Sequence, residues 1–365
     1  MKGRPEVRKV QITGGATFMV TLPKGWAERV GLRPGSPLLL APREGALILV
    51  PEGRTGPTRA LFRLDLERGG RLSGEALARE IISLYIAGFD IIEVQGERIS
   101  PEERRVIRET TRALIGPEIV EESATTVVIH NLLDLAEVSA ERTFERIYLI
   151  TRSMFADALK ALLERDGELA RDVVGRDSEV DRLFLMLSRQ LRIALQDPLG
   201  EGQLLLFDYH TAAKQLERIA DHAVKIAQAG LALELELEGE EAIPAELREK
   251  VRRVGEGVLS LLGGAAEALR ELDLARANRV IDEAQEVQEH LLEMEIGGGL
   301  LRIEPGPEGG ERERERPRLA QALGLVADSI GRVADYAANI AEVALNAAAP
   351  PLRLRGGAEV RSDQI

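Results

Sequence analysis

The chain of 365 residues contains no cysteine. Disulfide staples, thiol nucleophiles and cysteine-ligated zinc or iron–sulfur sites are therefore excluded. Aromatic residues make up only 3%, too few for an extended surface on which single-stranded bases could stack. An apolar content of 44% then points to helices packed through Leu, Val, Ile and Ala. No apolar run reaches the roughly 18 residues needed to cross a bilayer, and Met1-Lys2-Gly3-Arg4-Pro5 opens no signal-peptide core. The expectation is a cytoplasmic protein that is not an integral membrane protein. Four histidines occur, none three residues after a glutamate, so the Glu-x-x-His pairs of di-iron oxidases are missing. There is no Ser-His-Asp set, phosphate-cradling loop or dinucleotide fingerprint, and Gly297-Gly298-Gly299 opens no strand-helix unit. Catalysis is not expected.

What is present is acidic, and unevenly so. The net charge is −13, yet residues 1–53 hold eight basic residues (Lys2, Arg4, Arg8, Lys9, Lys24, Arg29, Arg33, Arg43) against four glutamates. A small basic head on an acidic body places any contact with a polyanion at the head.

The body is organised around a repeat. Leu216-Glu217-Arg218-Ile219-Ala220-Asp221-His222-Ala223-Val224-Lys225-Ile226-Ala227 returns as Ile330-Gly331-Arg332-Val333-Ala334-Asp335-Tyr336-Ala337-Ala338-Asn339-Ile340-Ala341, with six of twelve positions identical. The shared set mixes small, branched and acidic residues, so duplication explains it better than composition. Apolar residues recur at three- and four-residue spacing, giving amphipathic helices whose alanine-lined faces can approach a neighbour closely.

Glu217 and Asp221 stand four apart, on one face of such a helix, where like charges repel unless a cation or basic partner offsets them. Acids at this spacing are common in so acidic a chain; the pair gains weight from its place in the duplication and from a second pair upstream, Asp177 and Asp181. If the helices are antiparallel neighbours, four carboxylates converge into a hard, oxygen-rich site for Mg, Ca, Mn or Fe. Arg189, Arg192 or Arg218 could instead neutralise the acids as ion pairs.

At this point the chain resembles the PhoU family, regulators of phosphate uptake built from two tandem three-helix repeats. The residues that carry the resemblance are Asp166-Gly167-Glu168-Leu169-Ala170 followed by Asp177, and Leu216-Glu217-Arg218-Ile219-Ala220-Asp221-His222-Ala223. It covers about residues 141–348. The resemblance implies metal clusters at Asp177, Asp181, Glu217 and Asp221. Aligning Leu169-Ala170 with Leu274-Ala275 sets Asp177 against Asp282 and Asp181 against Glu286, and Glu217 against Gly331. The second repeat then keeps three carboxylates, Asp282, Glu286 and Asp335. A register pairing Val180 with Val287 would dissolve that second set further.

The head, residues 1–55, reads as very short strands (Arg8 to Ile12, Phe18 to Leu22, Leu38 to Leu40, Leu47 to Val50) around a helix from Lys24 to Val30. Such strands cannot bury a core alone, so an intertwined homodimer is the natural solution. Gly14-Gly15-Ala16-Thr17-Phe18-Met19-Val20-Thr21-Leu22-Pro23-Lys24-Gly25-Trp26 and Gly31-Leu32-Arg33-Pro34-Gly35 resemble the SpoVT/AbrB swapped-hairpin DNA-binding domain. That resemblance implies DNA contact by Arg8, Lys9 and Lys24, with Arg4 on a mobile arm.

Residues 58–136 read as β-α-β-α-β-β, a small α+β connector, with Ser100 as N-cap and Glu103 at the capping-box position. Its run Arg104, Arg105, Arg108, Arg112 reads as a solvated face tied to neighbouring glutamates. The expected fold class is thus multidomain and mainly α, with a swapped-hairpin β head. The two three-helix repeats span 137–233 and 244–349, and 350–365 form a flexible tail. Gly297 to Pro317 is expected to be a disordered loop. The function the two resemblances together imply is a DNA-binding regulator of phosphate homeostasis. The alternative is an adaptor on a phosphate transporter or sensor kinase, with the head only dimerising.

Overall fold

The computed structural model describes residues 6–43, 46–52, 61–67, 72, 74–133, 138–197, 199–200, 202–236, 243, 245–296 and 311–350. Arg4, the stretch 297–310 and residues 351–365 lie outside them. The chain divides after Arg59 into two compact units.

In the smaller unit, β1 (Gln11–Thr13) and β2 (Thr17–Met19) pair antiparallel. Gly14 and Gly15 turn between them at φ 63° and 82°, a region that side chains with a Cβ rarely adopt. After α1 (Lys24–Arg29), β3 (Leu38–Arg43) pairs antiparallel with β4 (Ala46–Pro51). Among the described residues 6–52 none is buried. Val10, Ile12, Phe18, Met19, Val20, Leu39, Leu40 and Leu47 are all exposed, an apolar excess that a single soluble copy rarely carries.

The larger unit begins with a four-stranded sheet in the order β5-β6-β8-β7: β5 (Leu61–Asp65), β6 (Ile91–Gln95), β7 (Pro117–Glu122) and β8 (Thr126–Asn131). β5 runs parallel to β6, and the other pairings are antiparallel. The period of two sends Leu64, Ile92, Val94, Val127 and Ile129 to one face. There they form a core with Leu77 and Ile81 of α2 (Gly74–Ala87) and Val106 and Ile107 of α3 (Pro101–Arg112). The capping box at Ser100 forms: its Oγ accepts from the Glu103 amide at 3.2 Å, and its own amide donates to Glu103 Oε2 at 2.7 Å. On the outer face of α3, Arg104 and Arg108 pair with Glu122, and Arg105 with Glu102 and Glu109.

Six helices follow: α4 (Ala140–Glu164), α5 (Gly167–Ala194), α6 (Gln203–Glu236), α7 (Ala245–Glu271), α8 (Leu274–Ile296) and α9 (Glu311–Ala348). They share one continuous core. The duplicated segments of α6 and α9 both bury their matched positions: Leu216/Ile330, Ile219/Val333, Ala220/Ala334, Ala223/Ala337, Ile226/Ile340 and Ala227/Ala341. His222 rests beside Tyr336 (ring centroids 5.9 Å apart), and Asn339 donates to Gln215 at 3.5 Å. Contacts therefore descend along α9 as they rise along α6, so the two helices cross antiparallel.

One expectation is corrected. Glu311 to Pro317 are the opening turns of α9, whereas a loop up to Pro317 was anticipated. Glu and Arg are good helix formers, and extending a helix already docked on its neighbours avoids the cost of nucleation.

A buried arginine joins the sheet layer to the bundle. Arg189 of α5 is fully buried and donates to the carbonyls of Tyr85 and Phe89 at the end of α2, and to Asp90 Oδ1 at 2.7 Å. Its guanidinium lies 5.0 Å from the Tyr85 ring centroid. Burial pushes the Tyr85 phenol up to about 12, against the opposing pull of Arg189, so it stays a donor, to the Ile115 carbonyl at 3.0 Å.

Candidate functional site, an acidic face on the first repeat

The helix α5 is set by the turn before it. Arg165 closes α4 in the left-handed region at φ 58°, and Asp166 caps α5 by accepting from the Leu169 amide at 3.0 Å. From that start Ala170, Val173, Val180 and Leu183 point into the core. Asp177 and Asp181 fall on the margin toward α6, whose Ala220 and Ala223 are fully buried and allow close approach.

Asp177 and Glu217 are half-buried, while Asp181 and Asp221 reach solvent. The four acids feel one another. Burial raises the Asp177 carboxyl, and Asp221 and Glu217 raise it further. The protein packed on the inner side of Asp181, and then Asp177, Glu217 and Asp221, push it up to about 6, with Lys214 pulling the other way.

The cation that answers this charge is Lys214, which sequence reasoning missed. Its Nζ is 2.8 Å from Glu217 Oε2 and 5.0 Å from the Phe184 ring centroid. Phe184 stacks on His210 (5.1 Å, 29°), and His210 Nε2 is 3.0 Å from Ser188 Oγ. Burial, with Lys214 nearby, lowers the pKa of that imidazole. Arg189, a candidate to neutralise the acids, faces Asp90 instead. Among the described residues no three acidic or histidine side chains close into a cage of metal-ligand geometry. The donor set nonetheless has the right chemistry for a hard cation: carboxylate oxygens that repel one another, partly desolvated and open to water at the outer edge.

The second repeat is built differently. Leu272 repeats the left-handed closure at φ 53°, and Asp273 accepts from the Arg276 amide at 3.0 Å. The backbone bonds Asp166 N to Ala161 O and Ala170 N to Asp166 O recur as Asp273 N to Ala268 O and Ala277 N to Asp273 O. These turns pair Ala170 with Ala277, Val173 with Val280 and Val180 with Val287. Asp177 is then matched by Ala284 and Asp181 by Gln288, while Asp282 and Glu286 are exposed on α8. Asp335 is held by Gln288, whose Nε2 donates to its Oδ1 and to the Gly331 carbonyl, each at 2.8 Å.

The PhoU domain profile matches residues 144–230 and 251–344, one copy on each repeat. The helical body is a pair of PhoU domains. A second profile, "Antidote-toxin recognition MazE, bacterial antitoxin", matches residues 11–56, so the PhoU body carries a MazE/AbrB-type head. A "Phosphate-specific transport system accessory protein PhoU homolog" of Caulobacter vibrioides is 32% identical over 160 residues, 43% of this chain and 66% of the relative. The match thus spans just under two thirds of that relative's length. One of the same description from Streptococcus pneumoniae is 27% identical over 159 residues, 43% of this chain and 69% of that one. The PhoU crystal structure from Pseudomonas aeruginosa has a TM-score of 0.47 at 21% identity, covering 56% of this chain and 93% of that chain. The PhoU structure from Streptococcus pneumoniae has 0.46 at 20%, covering 56% and 91%.

In the head, Arg8 pairs with Glu6, and Lys24 Nζ lies 3.7 Å from Glu28. Lys9 is exposed. All the described members of the basic set therefore stand at the surface. Among the described residues, no helix is long and apolar enough to cross a membrane.

The raised Asp181 carboxyl has a measurable consequence. Between its unfolded value of 3.8 and its folded value of about 6, the folded state holds a proton that the unfolded chain has released. Stability therefore falls as pH rises through that window and stays lower above it. Asp181→Asn is expected to be more stable than wild type at pH 7 by less than about 1 kcal/mol, since the group reaches solvent. The difference should vanish below about pH 4. Urea midpoints at pH 3.5 and 7 check this; a destabilised variant at pH 7 would show that burial and the neighbouring acids do not together disfavour the Asp181 charge.

Proposed function

We propose that the protein is a homodimeric, DNA-binding regulator of phosphate uptake whose head grips DNA and whose first-repeat acidic face reads a divalent or iron-type cation. The observation that carries this reading is the union, in one chain, of a MazE/AbrB-type head with a PhoU body. Its relatives are named accessory proteins of phosphate-specific transport. A head in which none of the described residues is buried favours two copies folding together. Two heads side by side double a basic surface, and such surfaces bind phosphates by releasing counterions. At the acidic face, Asp177, Asp181, Glu217 and Asp221 would supply the oxygens for Mg, Mn, Fe or Ca, and the cation would relieve their repulsion. Signalling by this route involves no catalysis.

One observation favours a second reading. Arg8 and Lys24 already pair with glutamates of the head, as fits a head that only dimerises a PhoU adaptor on a transporter or sensor kinase. Fluorescence anisotropy separates the two. The full chain, at two salt concentrations, is titrated with fragments from upstream of phosphate-transport genes. Tight, salt-dependent binding is expected; its absence at low salt would leave the adaptor reading.

A further inference from the structure

The duplicated acidic positions have diverged, and the way they diverged can be read residue by residue. The two interhelical turns coincide in backbone conformation, cap and hydrogen bonds (Arg165-Asp166 against Leu272-Asp273), which fixes the register of α8 on α5. The buried pairs along α6 and α9 fix the other register. Together they match Asp177 to Ala284, Asp181 to Gln288, Glu217 to Gly331 and Asp221 to Asp335. Asp282 and Glu286 each sit two residues before a matched position, about 200° around a helix of 100° per residue, so they cannot join the set.

What remains is one carboxylate and one amide. Gln288 bridges Asp335 to the Gly331 carbonyl through two bonds of 2.8 Å from its Nε2. Both oxygens thus receive the N–H of a neutral donor where a cation would have to sit. Gly331 makes room for this: a Cβ there would come within 3.2 Å of Gln288 Oε1 and 3.3 Å of Leu291 Cδ1. Arg332, 3.7 Å from Asp335 Oδ2, adds a positive charge on the outer side. A hard divalent cation takes six or more oxygens and several negative charges. This position offers neither: of its acids, Asp335 is taken by Gln288 and by Arg332, and Asp328, two turns earlier, is paired with the same Arg332 at 3.9 Å.

We infer that the two repeats have parted roles: the first alone takes the cation, and in the second the Gln288 amide has replaced it as a permanent bridge between α8 and α9. The inference rests on the reading of the first-repeat acids as a cation site. Each chain then responds at one end of its pseudo-symmetric body, while the other end is locked in one state at every cation concentration.

The test is Mn²⁺ titration of the full-length chain, with free Mn²⁺ followed by its electron paramagnetic resonance signal and folding checked by circular dichroism. Wild type is expected to bind one class of sites. Asp181→Asn with Glu217→Gln should abolish that class, and Asp335→Asn should leave it unchanged. Ala284→Asp with Gln288→Asp and Gly331→Glu rebuilds the first-repeat set in the second and should about double the Mn²⁺ bound. The single Gln288→Asp, a milder change, should add a weak second class. Mn²⁺ retained by the first-repeat variant, or half of it lost in Asp335→Asn, would overturn the inference while leaving cation binding standing. A wild type that binds no Mn²⁺ would remove the underlying reading, and the inference with it.

Discussion

Replacing Arg189 with alanine is expected to cost about 3–5 kcal/mol of folding stability, because it strips a buried charge from its partners. Three acceptors depend on it: the Tyr85 and Phe89 carbonyls and Asp90 Oδ1. The two carbonyls lie in the last turn of α2 and just past its end; that of Tyr85 also accepts from the Gly88 amide at 3.1 Å, and Arg189 adds a charged donor to each. The Asp90 side chain is 25% exposed and can recover some hydration, which places the expected cost toward the lower end. Arg189→Met fills most of the volume without the donors and should recover only the packing part of the loss. Asp90→Asn in the Arg189→Met background should restore some stability, since the carboxylate that lost its guanidinium is then replaced by a neutral amide. Urea unfolding read at two probes, Tyr fluorescence and far-ultraviolet circular dichroism, measures the cost and shows whether sheet layer and bundle separate. A loss below about 1 kcal/mol would mean that water replaces the arginine at no net penalty.

The larger effect of that joint concerns transmission. α5 carries Asp177 and Asp181 on its surface and Arg189 two turns further on, and Arg182 also reaches the Leu114 carbonyl at 3.4 Å. One rigid helix therefore touches both the acidic face and the sheet layer. Any shift of α5 along α6 would carry Arg189 with it, and with Arg189 the donors to the Tyr85 and Phe89 carbonyls.

Long helices were legible because their apolar spacing is dense and their caps are explicit. Ser139 and Asp166 stand where helices begin, and Ser100 with Glu103 announced a capping box that forms. The fold class and the resemblance to PhoU could be read for the same reason. The opening of α9 was not legible: Glu311 to Pro317 has no apolar face, and what extends that helix is the docking of the residues beyond it. Arg189 was hidden too. Among so many arginines, nothing local distinguishes one that will be buried 99 residues away from its carboxylate at Asp90.

At the acidic face, the i, i+4 spacing placed Asp177 with Asp181 and Glu217 with Asp221. Their mutual effect on Asp181 follows from the antiparallel packing of α5 and α6. The pairing of α5 with α8 was ambiguous for a physical reason. Two registers each matched short apolar residues, and the choice was made by backbone features, a left-handed residue followed by a capping aspartate. Arg165-Asp166 and Leu272-Asp273 share that device although neither Arg nor Leu advertises it. Lys214 was in view three residues before Glu217, a spacing that favours pairing.

The head yields the second large effect. Arg8, Lys9 and Lys24 changed together to alanine should weaken binding to duplex DNA on the order of 10³-fold at 50 mM salt, and lower the slope of log K against log salt by about 5. That slope follows if each of six cations in a dimer neutralises one phosphate. The loss should be similar on specific and unrelated sequence, because phosphate contacts position the protein without reading bases. The pairs Arg8–Glu6 and Lys24–Glu28 are exposed, and such pairs are worth less than about 1 kcal/mol, so a phosphate can displace them at little cost. Glu6→Gln with Glu28→Gln should accordingly tighten binding and steepen the salt dependence. The two variants move in opposite directions only if the cations face DNA. Unchanged affinity in both would assign the head to dimerisation, and sedimentation of the same variants would then still report a dimer.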